Sequence, residues 1–376
     1  MSGALTALYS NRIIQQVAGG LIGIFVPILL YKMLDFSLYK VAVYYFINLL
    51  IWFFIVPLGA KTMSRIGMKK SLILSVCFGW AWFYFMRSFE VNGALIFLGL
   101  AIVAVNIDRF FYWVPFHTDF ASFTDKKTRG KQMAFLISIA SLVSIFMPFV
   151  AGEIIFVYGY GVLFLIGLII YIMSVVPLFL IPDTREKFDF TYLQSYREVF
   201  SRQHRRMLLS YGADGMQEIV GTVIWPIFIW LLLNQNYQAV GLISSLIILG
   251  SIVLQLLLGD ISDRFDKRRV MRFGTILNSI GWIAKMFVGT GFQIFIASTY
   301  HSFANIIMRT PFDALMYERA ADSGHYVDEY TVVRELALTL GRLVMLGLVV
   351  LTFFLTGSLI ASFFLAAMAA LVINVL

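Results

Sequence analysis

A single cysteine, Cys77, stands in 376 residues, which excludes a disulfide framework and a Cys/His metal cluster. It falls within an apolar run and is expected as a small packed side chain. Charge is equally scarce. Only 13% of the residues are Asp, Glu, Lys or Arg and 60% are hydrophobic, with a mean hydropathy of +0.86. A soluble globule of this size could not cover itself with so few polar groups. The chain is therefore read as an integral membrane protein. Its four histidines, His117, His204, His301 and His325, lack acidic neighbours at metal-ligand spacing, so no metal is expected. There is no Gly-x-x-x-x-Gly-Lys-Ser/Thr stretch and no soluble segment long enough for a nucleotide, so ATP hydrolysis is not expected either. No nucleophile and base converge, and neither enzymatic activity nor a cofactor is expected. The N-terminus lacks a basic region followed by a short apolar core and a small-residue cleavage site, so the first helix should stay in the mature protein.

What the chain does have is long apolar runs. A spanning helix needs about 20 mostly apolar residues. Candidate runs lie at 13–33, 39–59, 71–89, 93–115, 132–157, 161–181, 207–233, 238–258, 270–290, 292–315, 332–355 and 357–376, an all-α membrane protein of about twelve spans. The net charge of +8 does not point to nucleic acid, because the basic residues sit in short loops between these runs. With the N-terminus inside, 22 of the 29 Lys and Arg fall on the inner side, as the positive-inside rule requires. Both termini are thus expected in the cytoplasm of a plasma membrane, of the bacterial inner-membrane kind. Residues 1–182 form a first six-helix unit, 183–206 a cytoplasmic linker and 207–376 a second unit. In the linker, Tyr192, Leu193, Tyr196, Val199 and Phe200 alternate with basic residues in an amphipathic pattern suited to lipid headgroups. No basic tail follows the last run at Leu376, which leaves a truncated product open.

The two units look like copies. Gly259 to Arg269 reads Gly-Asp-Ile-Ser-Asp-Arg-Phe-Asp-Lys-Arg-Arg, and 199 positions earlier Ala60 to Lys70 reads Ala-Lys-Thr-Met-Ser-Arg-Ile-Gly-Met-Lys-Lys. Ile24-Phe25-Val26-Pro27-Ile28 and Val223-Ile224-Trp225-Pro226-Ile227 are also 199 apart, and Pro115-Phe116 answers Pro311-Phe312 at 196. Near agreement on one offset across three pairs of segments points to duplication. Proline removes a backbone donor and kinks a helix. Kinks at Pro27 and Pro226, in corresponding places of two halves, suit a transport pathway, the alternative being lipid-facing kinks without a role.

Inside the runs stand Asp108, Arg109, Glu153, Asp214, Glu218, Lys285, Arg309, Asp313 and Arg342. A charge at the helix centre costs about 2.5–3.5 kcal/mol, so such residues face a cavity or a partner. Asp214, Gln217 and Glu218 share one helical face, and the repeat sets Asp214 opposite Gln15. For Asp108, Arg109 and Asp313 an anchor or ion pair near the cytoplasmic end is an equal reading. Arg342 is preferred over Arg309 for its depth, and Glu153 is expected near the outer surface.

The two charged loops resemble the conserved loop of the major facilitator superfamily, which reads glycine, three residues, Asp-Arg, any residue, glycine and two basic residues. In the first copy Ser64, Arg65, Gly67 and Lys69 match or replace that pattern, and in the second Gly259, Asp263, Arg264 and Arg268 do. Ser64 stands where the family has aspartate, and Asp266 where it has glycine. The resemblance implies two six-helix bundles rocking about a central site. Helices 1, 4, 7 and 10 would line that site, which gives Gln15, Asp108, Arg109, Asp214, Gln217, Glu218, Arg309 and Asp313 a place in the substrate or proton pathway, joined by Arg342. For Lys285 the resemblance implies a peripheral helix, the ninth. The implied function is secondary active transport of a small solute by alternating access. Protons are candidate coupling ions through Glu218 or Asp214, and the protein is expected as a monomer in the lipid bilayer. The alternative is a receptor or scaffold that kept the fold and lost transport. The resemblance also implies that Asp263 contacts the start of helix 5, near Arg129, Gly130 and Lys131, when the cytoplasmic side is shut. Pro148, Ala151 and Gly152 resemble the family's antiporter element, but Met147 replaces its glycine, and antiport is not inferred.

Overall fold

Within hydrocarbon every backbone N–H and C=O must find its partner inside the segment, which leaves this chain the α-helix. The computed structural model describes residues 3–123, 129–182, 191–202, 204–262, 266–322 and 327–375, and every regular element among them is helical. In order these are α1 (Gly3–Ile22), α2 (Phe25–Met33), α3 (Leu38–Ile66), α4 (Met68–Asn92), α5 (Leu95–Phe123), α6 (Arg129–Met173), α7 (Val175–Leu178), α8 (Tyr192–Val199), α9 (Arg205–Ile219), α10 (Trp225–Leu232), α11 (Tyr237–Ser262), α12 (Lys267–Lys285), α13 (Gly291–Asp322), α14 (Val327–Thr356) and α15 (Ile360–Val372).

Seven of the described helices are long and apolar enough to cross a membrane, or eight if the bent pair α1 and α2 is one span. The helices follow the apolar runs, but length and apolarity do not single out all of them. Basic residues crowd the first turns of α12, Arg309 and Asp313 interrupt α13, and α15 has only 13 residues. Two runs join in α6, where Gly159 breaks the helix at a φ of 81°.

The helices that carry Pro27 and Pro226 both depart from regular α-helix just before the proline. A proline leaves the carbonyl four residues before it without a donor. For Pro27 that residue is Gly23, at the 40° bend between α1 and α2. For Pro226 it is Thr222, inside a single π-helical turn, Val220–Ile224, that joins α9 to α10.

Packing repeats as the loops do. Helix α1 lies on α6 as α9 lies on α14; α4 on α5 as α12 on α13; α3 on α5 as α11 on α13; and α4 on α6 as α12 on α15. Across the two series α3 meets α14 and α6 meets α11. Lipid tails are as apolar as leucine, so such contacts rest on close packing and small residues. A Cβ on Gly341 would stand 2.8 Å from the Gly212 Cα, and one on Gly152 would stand 2.6 Å from the Tyr237 carbonyl oxygen. Toward the end where α2 and α10 finish, aromatic rings close the seam: Phe36 stacks on Trp230 at 6.4 Å, Trp230 on Tyr237 at 5.7 Å, and Tyr160 meets Tyr237 edge-on at 5.6 Å.

The loop motif has a physical basis in each copy. Gly67 turns the chain between α3 and α4 at φ 87°, a conformation that glycine adopts without strain. Asp266, in the corresponding place, instead caps α12 by accepting from the Arg269 N–H at 3.0 Å. Lys69 donates to the Phe179 carbonyl at 2.7 Å, and Arg65 and Arg268 are exposed. Gly259 belongs to the backbone of α11 and Ser64 to that of α3. Asp263 and Arg264 lie outside the described residues, as does the Ser64 side chain. In the linker, α8 starts with a Thr191/Gln194 capping box and is tied to α3 by hydrogen bonds from Tyr192 to the Phe54 carbonyl and from Tyr196 to that of Phe53. Cys77 corrects the expectation of a packed side chain. It is exposed, because α4 buries Ser71, Leu72, Ser75, Val76 and Gly79, a stripe that leaves position 77 on the outer face.

Candidate functional site

A cavity of about 660 Å³ lies where α1, α3, α5, α9 and α14 converge, within the usual range for small-molecule sites. Its walls include Gln15, Asn48, Trp52, Asp108, Arg109, Glu218, Glu335 and Arg342, and Gly23 and Thr222 bring the bend and the π-helical turn to its edge. With Arg12, three arginines face three carboxylates.

The charges are not evenly shared. Arg342 holds two carboxylates: its Nη2 donates to Glu218 at 2.9 Å and its Nη1 to Glu335 at 3.0 Å. Glu335, with a side chain only 7% exposed, also accepts from the Trp52 indole N–H at 3.1 Å, which links α14 to α3. This wall carries one negative charge in excess. On the other wall Asp108 accepts from the Tyr171 hydroxyl at 3.0 Å, and Arg12 donates to the Tyr112 hydroxyl at 3.1 Å. Arg109 makes one long hydrogen bond, 3.4 Å to the Asn48 side-chain oxygen. A guanidinium has five N–H donors, so among the described residues most of those on Arg109 are left for a ligand. Gln15 adds a buried Nε2 without a partner.

Of the residues expected in the pathway, Gln15, Asp108, Arg109, Glu218 and Arg342 line this cavity, whereas Asp214, Gln217, Arg309 and Asp313 do not. Arg309 pairs with the buried Asp214 at 2.5 Å, and Gln217 donates to the other Asp214 oxygen at 3.3 Å. Gln217 accepts in turn from Asn278 at 2.7 Å and from the Trp282 indole at 3.1 Å. Asp313 is within electrostatic reach of Arg309 and Arg334. These four form a network among α9, α12 and α13, apart from the cavity. Glu153, expected near the outer surface, accepts from Gln238 at 2.8 Å. Sequence reasoning missed Glu335 because it follows Arg334 near the start of the run and reads as part of a charged helix end. Its spacing of seven from Arg342, two helical turns on one face, was the signal that could have found it.

No family model matches the sequence, and no curated protein matches it. Among solved structures the chain is similar to a POT family transporter crystallised in complex with 5-aminolevulinic acid, at 11% identity, with a TM-score of 0.72 over 98% of this chain and 94% of that one. At that identity the likeness is one of fold. The chain therefore has the major facilitator type of fold that its two loop motifs resemble. Together with its apolar helices, this makes it a multi-pass membrane protein.

Proposed function

We propose that the protein is a secondary transporter that moves a small solute carrying both charges, or an anionic one, by alternating access between two six-helix bundles. Arg109 carries the reading. It is a guanidinium with spare donors in a cavity whose opposite wall, Glu218, Glu335 and Arg342, holds a surplus of negative charge. Arginine pairs with carboxylates through two parallel hydrogen bonds, and the excess carboxylate opposite suits an ammonium group. The similar transporter's ligand, 5-aminolevulinic acid, has both groups. Twelve spans in two bundles are favoured by the packing pairs that recur in the two halves and by the helix irregularities, a bend and a π-helical turn, that precede Pro27 and Pro226. The close seam between α6 and α11 and the aromatic end favour a state shut on one side. By the positive-inside reading that side is the outer one. The receptor or scaffold alternative rests only on the altered motif at Ser64, and we do not adopt it.

Proton coupling is assigned to the carboxylates that share Arg342, with Glu335 added to Glu218; Asp214, paired with Arg309 away from the cavity, is set aside. The test is uptake of labelled amino acids, dipeptides and 5-aminolevulinic acid into proteoliposomes under an imposed proton gradient. Glu335→Gln should abolish gradient-driven accumulation and leave solute exchange measurable, because exchange need not move a proton. Equal loss of accumulation and exchange would make Glu335 structural and overturn the coupling assignment.

A further inference from the structure

The last residue of α12, Lys285, was expected at the periphery, yet it is only 4% exposed, and among the described residues it makes no ion pair. Its Nζ lies 2.8 Å from His301 Nδ1, and among the described residues the buried His301 Nε2 has no hydrogen-bond partner. The rings of Trp282 and Trp225 lie 4.3 and 4.6 Å from Nζ. Aromatic faces attract a cation but do not cancel its charge. Beside the lysine is a second cavity of about 340 Å³, formed by α1, α6, α10, α11 and α13. Its exposed wall is mainly apolar, with Ile24, Ile247 and Ile248 along it, and Ser144, Ser244 and Ser302 add hydroxyl groups. Ser298, which also lines it, is 4% exposed and its hydroxyl lacks a partner. Buried polar groups are ordinarily paired, and each exception asks for an explanation. Here, among the described residues, a buried lysine without a counter-ion and an unpaired hydroxyl border one mainly apolar space.

We infer that this cavity binds an organic carboxylate with an aliphatic body, its head paired with Lys285 and Ser298 and its body against Ile24, Ile247 and Ile248. The charge defines the head, since a carboxylate supplies the missing counter-ion and can accept from both groups at once. The lining defines the body, because an apolar wall gains from an apolar occupant. The site borders the central cavity, with Gly20 lining both, but the inference does not depend on transport, and its test measures binding alone.

Tryptophan quenching reads the site directly, because Trp225 and Trp282 flank the ammonium. The full-length protein in phosphatidylcholine nanodiscs would be titrated with 8-bromooctanoate and, separately, with 8-bromooctan-1-ol. Saturable quenching by the acid is expected, with the alcohol at least tenfold weaker. Lys285→Met should weaken the acid at least tenfold and leave the alcohol unchanged. Nanodiscs that include phosphatidylglycerol separate two sources of the anion. Competition with the acid would place the lipid's phosphodiester in the site and overturn the carboxylate assignment, and its absence is expected for a dissolved carboxylate. Should Lys285→Met fail to fold, Ser298→Ala is expected to weaken the acid severalfold. Equal quenching by acid and alcohol, or an acid affinity that neither variant changes, would show simple partition and overturn the inference.

Discussion

Arg342→Met tests the charge arrangement of the central cavity by its energetics. The guanidinium is the shared cation of Glu218 and Glu335, and its loss leaves two carboxylates with different prospects. The Glu335 side chain is 7% exposed and, among the described residues, keeps the Trp52 indole as its one hydrogen-bond donor, whereas that of Glu218 is 41% exposed. Removing one partner of a buried pair costs about 3–5 kcal/mol, mostly for the stranded charge, whereas an exposed pair is worth about 0.2–1 kcal/mol. Most of the loss should therefore lie with Glu335. At about 2.1 cal/mol/K of unfolding entropy per residue, this chain shifts by roughly 1.3 °C per kcal/mol, and Arg342→Met should lower Tm by about 4–6 °C. Adding Glu335→Gln removes the stranded charge and should recover about half of that through coupling, while adding Glu218→Gln should recover about 1 °C or less. Thermal unfolding of the detergent-purified protein, followed by tryptophan fluorescence, measures all four species. A Tm for Arg342→Met within about 1 °C of wild type, or greater recovery with Glu218→Gln than with Glu335→Gln, would refute the reasoning.

The topology predicts that, in a Cys77-free background, a cysteine at Gln194 is labelled by impermeant reagents only from the cytoplasmic side and one at Asn236 only from outside. Reversed labelling would overturn the orientation. Gly341→Ala places a Cβ against the Gly212 backbone, which cannot yield as a side chain could. A loss of about 1–3 kcal/mol is expected, read as a lower Tm, and an unchanged Tm would refute the close α9 and α14 contact. At Gly241 a side chain would meet the Pro148 carbonyl, so Gly241→Leu should part α6 from α11. Spin labels at exposed Val91 and Phe287 should then report longer distances, and an unchanged distribution would remove that seam from the gate.

Periodicity and charge made much of this legible in advance. Apolar runs of spanning length located the helices, because hydrocarbon leaves few other backbone arrangements. The 199-residue offset pairs Pro27 with Pro226, and the chain bends before the first and makes a π-helical turn before the second. At the site, charges inside apolar runs led to Arg109, Glu218 and Arg342, since burial demands a partner or a cavity. Which of the two each charge has is a three-dimensional question. Asp214 and Glu218 are one turn apart, yet the first turns to Arg309 and the second to Arg342. Lys285 and Cys77 show the same limit from opposite directions, one buried and one exposed, because a mostly apolar helix does not declare which face meets protein and which meets lipid.

The central claim is that the cavity holding Arg109 carries a solute across the membrane, and counterflow measures this most directly. Proteoliposomes of the purified protein would be loaded in turn with unlabelled amino acids, dipeptides or 5-aminolevulinic acid, and entry of the labelled compound followed without any ion gradient. The account predicts saturable, protein-dependent counterflow for at least one solute carrying an ammonium and a carboxylate, and at least tenfold less with Arg109→Gln. Absence of counterflow across the panel with folded wild-type protein, or full activity in Arg109→Gln, would contradict it.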